Sequence, residues 1–276
     1  MILMTIWILP SLGEEDLNAL YQENEWNYVD ESADISLGIP DEALGTLALI
    51  RERGVLRVAT EPYFPPQEFI NPSRSGQDQY VGADMELARV IAQYMGVELE
   101  IIPLDFSDVL PAVSDGRADL AISGLSYTPG RAASTELSKG YHFTDESAGN
   151  GLLVRTGEED QFPNIQALSS RTLVVQRGSL QESIAADHIE DYLEFIRLPS
   201  IQNVYDALIS GRADAAMVDV ETTEAYLQIH PEAHLTILPD IRFQQAPEEE
   251  GDRIAARKGE TYLIAFVNVW AAARTD

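Results

Sequence analysis

The chain contains no cysteine. That excludes a disulfide framework, a thiolate-ligated metal and a lipid anchor on an N-terminal cysteine. Basic charge is nearly as scarce: 18 Lys and Arg stand against 46 Asp and Glu, for a formal net charge of −28 and a pI near 4.3. Only Lys139 and Lys258 are lysines. A surface of this sign repels phosphate backbones and anionic headgroups, so neither nucleic acid nor a membrane surface is an expected partner. Histidine is sparse too. Its one close pair, His230 and His234, is interrupted by Pro231, which opposes the helix an i,i+4 metal pair requires, so no metal is expected. Long apolar runs are missing. The longest, Met1 to Leu12, falls short of the about 20 residues a bilayer span takes, so direct membrane insertion is not expected. Followed by Gly13 and Glu14-Glu15-Asp16, it reads as the apolar core of a secretory signal.

What is present is an ordinary globular composition, 45% hydrophobic and 23% charged, in a chain of 276 residues with room for two modest domains. Residues 14–53 read as an acidic, helix-prone extension. Its last part, Asp41 to Arg53, carries Leu44, Leu47, Ala48 and Ile50 near helical spacing, and Gly54 supplies a stop. Val55 to Thr60 then reads as a strand, Pro62 to Pro72 as a loop, and Asp84 to Tyr94 as an amphipathic helix closed by Gly96. Val97 to Pro103 predicts a strand, Phe106 to Ser114 a helix and Ala118 to Ser123 a strand. The alternation recurs: strand Arg171 to Val175, helix from Ser179, strand Leu193 to Arg197, helix Ile201 to Ile209, strand Ala213 to Val218. Alternating strands and helices predict α/β lobes with mostly parallel sheets covered on both faces.

An internal echo supports two similar lobes. Gly116-Arg117-Ala118-Asp119 and Gly211-Arg212-Ala213-Asp214 each follow a helix end and precede an apolar strand. The expected layout is a remnant signal at 1–13, the extension at 14–53, a first lobe from 54–155 plus 246–276, and a second from 156–245. Thr156 to Pro163 and Leu238 to Asp252 are the expected crossovers.

In open parallel sheets, ligands bind beyond the carboxyl ends of the strands. That rule selects Glu61 to Phe69 and Ser123 to Thr128 in the first lobe, and Gln176 to Leu180 and Asp219 in the second. The small, hydroxyl-rich turn Ser123-Gly124-Leu125-Ser126 is followed by Arg131, whose fork can pair both oxygens of a carboxylate. Gly178-Ser179 opens a helix, where free N–H groups favour an anion. Asp219 ends an apolar strand, and its carboxylate calls for a cation. An anion receptor facing a carboxylate describes an α-amino acid. Phe64 and Phe106 could pack its aliphatic stem. Each residue also has a plainer reading: Arg131 as a helix cap or a partner of Glu136, Asp219 and Ser179 as N-caps, Phe106 as core.

The ordered segments Gly54 to Thr60, Tyr80 to Ala88, Gly124 to Arg131, Gly178 to Glu182 and Gly211 to Asp219 resemble family 3 bacterial extracellular solute-binding proteins. This family includes lysine/arginine/ornithine-, histidine- and glutamine-binding proteins. The resemblance runs from about Gly54 to Arg274. It implies a two-lobed periplasmic-binding-protein fold of type II, hinged by two crossover strands, that closes on its ligand without catalysis or cofactor. Carried over, Arg131 would grip the α-carboxylate, helped by Ser123, Gly124, Ser126 and Ser179, and Asp219 would hold the α-ammonium. Phe64 and Phe106 would wall the side-chain pocket, with Glu61 and Leu180 near its end. The implied partners are a small-molecule amino acid, polar or cationic, and the membrane permease of an ABC importer. The implied protein is monomeric and periplasmic or otherwise extracytoplasmic.

Four departures stand out. Gln67 replaces a usual phenylalanine, and Leu180 an often-found threonine. Leu137 to Phe143 replaces the usual Phe-Ser-x-Pro-Tyr hinge segment. The chain also stops at Asp276, where relatives continue into a further helix. Two other functions compete. One is a prephenate or arogenate dehydratase on the same scaffold, which would need a general acid such as Glu61. The other is the sensing module of a larger receptor.

Overall fold

The computed structural model describes residues 45–143, 149–244 and 251–271; the signal-like run and the extension up to residue 44 lie outside them. Helix α1 (Thr46–Arg53) buries Leu47 and Ile50 and ends on Gly54 in a left-handed conformation, φ 72°. Strand β1 (Val55–Thr60) follows. The proline-rich segment expected as a loop holds β2 (Tyr63–Phe64) and β3 (Glu68–Ile70), which form an antiparallel patch with β4 (Tyr80–Val81). Strands this short leave no periodic signal to read. Next come α2 (Ala83–Met95), β5 (Glu98–Pro103), α3 (Phe106–Ser114) and β6 (Leu120–Ala121). Strand β1 runs between β5 and β6, parallel to both. A six-residue helix α4 (Pro129–Ser134) and strand β7 (Thr135–Leu137) complete this stretch.

The second sheet repeats the plan. It contains β8 (Asn150–Arg155), β9 (Thr172–Gln176), α5 (Leu180–His188), β10 (Glu194–Leu198), α6 (Ile201–Ile209), β11 (Ala215–Asp219), α7 (Val220–Ile229) and β12 (Leu235–Phe243). Here β9 lies between β10 and β11, parallel to both. The chain then returns to the first sheet as β13 (Ala255–Arg257), antiparallel to β6 and β7, and ends its described part in α8 (Thr261–Ala271). The two orders are β5-β1-β6-β13-β7 and β10-β9-β11-β8-β12: three parallel strands, then one antiparallel strand (β13, β8), then an outer strand (β7, β12) that again runs with the first three. The result is a two-lobed α/β architecture. Helix α8 packs on α1, α2, β7 and β13, so the first lobe is completed by a helix with Leu263 and Val267 buried.

Two crossover expectations need correction. Strand β8 pairs with β11 and β12, so Thr156 to Pro163 is not a crossover; the chain changes sheets between β7 and β8. Leu238 to Phe243 belongs to β12, and the chain returns to the first sheet between β12 and β13. Leu152, Leu153 and Val154 are fully buried. An apolar strand of that kind suits either lobe, and only its hydrogen-bond partners decide.

The sequence echo has a structural cause. Asp119 accepts the backbone N–H of Arg57 at 2.8 Å, and Asp214 that of Thr172 at 2.8 Å. Each aspartate thereby staples its own strand to the neighbouring parallel strand. Gly116 and Gly211 supply the same left-handed turn, φ 82° and 72°. Two cores flank the second sheet, one built on Tyr205 and Leu208, the other on Leu168 and Val175.

Candidate functional site

The carboxyl ends of the parallel strands of both sheets border one cleft of about 50 Å³. Of the residues singled out in the sequence, it brings together Phe64, Phe106, Ser123, Gly124, Ser126, Arg131, Leu180 and Asp219 on its walls. Glu61, Gly178 and Ser179 are not wall residues; they lie behind it, bonded to residues that are.

Arg131 is carried by α4. Thr128 caps that helix by accepting the Arg131 N–H, which fixes where the side chain leaves the backbone. The guanidinium is 7% exposed. It donates to the Ser126 carbonyl at 2.6 Å and, across the cleft, to the Gly178 carbonyl at 2.9 Å, and sits 5.5 Å from the Phe106 ring centroid. Among the described residues no carboxylate forms an ion pair with it, Glu136 included; that residue faces Lys258 instead. Burial lowers its pKa to about 10, so it stays charged at neutral pH. A buried guanidinium bonded to carbonyls keeps further N–H groups with which it can receive an anion.

Asp219 ends β11 and caps α7: Oδ1 accepts the Thr222 N–H at 2.9 Å. The N-cap reading and the ligand reading are therefore compatible, because a carboxylate has a second oxygen to offer. Burial pushes its pKa up to about 6, against the Thr222 bond that lowers it. An ammonium beside it would restore the charged form. Ser179 caps α5 through Oγ, accepting the Glu182 N–H, and donates to the Gln176 carbonyl at 2.7 Å.

Glu61 is 1% exposed and joins the two lobes. It accepts the Gln176 side-chain amide and, at 3.1 Å, the backbone N–H of Ile201 at the start of α6. Burial raises its pKa to about 7. Both carboxylate oxygens are already engaged by protein donors from the second lobe.

Behind Ser123 and Gly124 lies a buried polar layer. Ser123 donates to Glu68 at 2.9 Å and accepts the Glu61 N–H; Gly124 N–H and the Tyr141 hydroxyl donate to Asp84, each at 2.9 Å. Burial pushes Glu68 well above the carboxylate range, and the charge of nearby Asp84 pushes it further. Gly124 is at φ +50°, and a Cβ there would meet the Phe64 ring at 2.8 Å. Glycine thus lets Phe64 lie directly on the turn.

The strand-end segments contained Gln67 and Gln176 without singling either out, and reasoning from strand ends missed another part of the wall: His142, Asn150, Gln181, Glu221, Thr222 and Asp252. Gln176 is the last residue of β9 and was within reach of the strand-end rule. His142 and Asp252 come from the two crossovers, where the backbones bridge antiparallel. No periodic pattern marks such segments.

The chain matches the family model "Bacterial extracellular solute-binding proteins, family 3" over residues 56–273. It is 28% identical over 190 residues to the arginine-binding extracellular protein ArtP of Bacillus subtilis, covering 68% of this chain and 71% of that one. It is 26% identical over 185 residues to cyclohexadienyl dehydratase of Pseudomonas aeruginosa, covering 66% of each. A solved amino acid ABC transporter substrate-binding protein, AbpA of Streptococcus pneumoniae bound to L-arginine, aligns with a TM-score of 0.71 at 30% identity, over 82% of this chain and 90% of that one.

Proposed function

We propose that this chain, which belongs to family 3 of the bacterial extracellular solute-binding proteins, captures one L-amino acid by closing its two lobes and presents it to an ABC importer permease. The observation that carries this reading is the buried Arg131, without a carboxylate partner among the described residues, in one cleft with Asp219. Arg131 would take the ligand α-carboxylate with the N–H groups of the Ser123–Ser126 turn, and Asp219 its α-ammonium. Phe64 and Phe106 would flank the stem. The arginine-binding relatives favour a polar or cationic side chain. Work outside the cytoplasm follows the family. Among the described residues no helix is long and apolar enough to cross a membrane.

Capture is tested by isothermal titration with the common L-amino acids. Arg131→Ala and Asp219→Ala should each weaken the best ligand by roughly 100-fold or more, as expected for charge-assisted bonds in a desolvated cleft. Two variants that bind like the parent would sink the assignment.

A second reading, catalysis, is favoured by the carboxyls of Glu61 and Asp252, both held near 7, where a general acid works. Incubation with prephenate or arogenate is expected to give no aromatic product. Product formation would overturn capture as the sole activity.

A further inference from the structure

Among the described residues three carboxylates line the cleft: Asp219, Glu221 and Asp252. Glu221 faces the His142 ring at 3.6 Å. Asp219 is the α-ammonium receptor of the proposed function. Asp252 is left over. Its backbone is bound to the first crossover, donating to the His142 carbonyl at 2.8 Å and accepting the Tyr141 N–H at 3.0 Å. Its carboxylate, by contrast, makes no hydrogen bond or ion pair among the described residues. Arg131 is within electrostatic reach but forms no ion pair with it among the described residues.

A second, independent feature points the same way. Gln67, on the same wall, is 3% exposed, and its amide oxygen is buried with no partner. The other end of the amide meets His142 Nε2 at 2.8 Å. Leaving a buried acceptor unpartnered is costly, and a ligand donor would recover that cost. Glu61 is unsuited to this task, since both its oxygens hold the second lobe. Among the described residues no group of side chains has the arrangement of a metal site. A lone carboxylate beside an amide oxygen suits an ammonium or guanidinium group, which can donate to both.

We infer that Asp252, flanked by Gln67 and His142, receives a second positive charge on the ligand, so that the cleft selects cationic α-amino acids, while Glu61 acts as a clasp between lobes. This rests on the proposed capture of an amino acid through Arg131 and Asp219. Burial and the nearby Asp84 raise the Asp252 pKa to about 7, a position that a cation reverses on binding.

The test is isothermal titration at about pH 8 with two pairs of similar shape, L-arginine against L-citrulline and L-ornithine against L-norvaline. The parent should prefer the cationic member by about tenfold or more. Asp252→Asn should bring both ratios close to one and change the neutral ligands by less than about threefold. Glu61→Gln should weaken both members alike. Should Asp252→Asn lose its fold by circular dichroism, Asp252→Ser serves the same comparison. Ratios unchanged in the Asp252 variant, or lost in Glu61→Gln instead, would overturn the assignment. A parent that binds neutral amino acids as tightly as cationic ones refutes the subsite but leaves capture standing. A parent that binds no amino acid refutes both.

Discussion

Glu61 illustrates how one side chain can be found in the sequence and given its work only by its neighbours. The strand-end rule points to it. Its bonds to Gln176 and Ile201, both in the other lobe, follow from packing. Burial raises its pKa from 4.5 to about 7, so the folded, closed form prefers the protonated acid. The sign follows: this contribution to stability is complete below about pH 4.5 and is lost as the pH rises through about 7. Its ceiling is roughly 3 kcal/mol, from about 1.4 kcal/mol per pKa unit. Denaturant unfolding of the ligand-free protein between about pH 5 and pH 8 should show falling stability, and Glu61→Gln should flatten part of that slope. A Gln variant with the parent's full slope would exclude Glu61 as its source. Asp252 and Asp219, raised to about 7 and about 6, supply the same sign and should leave a residual slope.

At the level of elements, regular helices and strands were legible where periodicity was strong. Phe106 to Ser114 and Ile201 to Ile209 match observed helices residue for residue. The repeated Gly-Arg-Ala-Asp was visible too, but its purpose was not. Its aspartates accept backbone N–H groups on β1 and β9, strands 62 and 42 residues earlier in the chain. Asp214→Ala would leave the Thr172 N–H without its acceptor and should cost about 1–3 kcal/mol in chemical denaturation, with Asp119→Ala at least as costly because it also loses Arg53 and Arg57. Were both variants as stable as the parent, the staple would have no energetic weight. The short β2, β3 and β13 were out of reach because pairing, not local pattern, makes them strands.

Over the whole molecule the net charge of −28 sets a long-range field that favours cationic ligands and is screened by salt. The association rate of L-arginine should fall several-fold between about 20 mM and about 500 mM salt, while that of L-citrulline changes by less than about twofold; stopped-flow fluorescence reads both. Equal salt responses would show that the field does not reach the cleft. Composition, the strand–helix alternation and the strand-end residues sufficed for the α/β lobes and brought Arg131 and Asp219 forward as candidates, because those features depend on local order along the chain. The hinge positions did not follow. Nor did the clasp at Glu61, or the Asp252, Gln67 and His142 wall. Each joins segments far apart in sequence through one or two contacts, and such contacts leave no periodic trace. Only the tertiary structure, by bringing two crossovers and two sheets to one cleft, decided that the Glu61 carboxylate is already bonded while that of Asp252, among the described residues, is not.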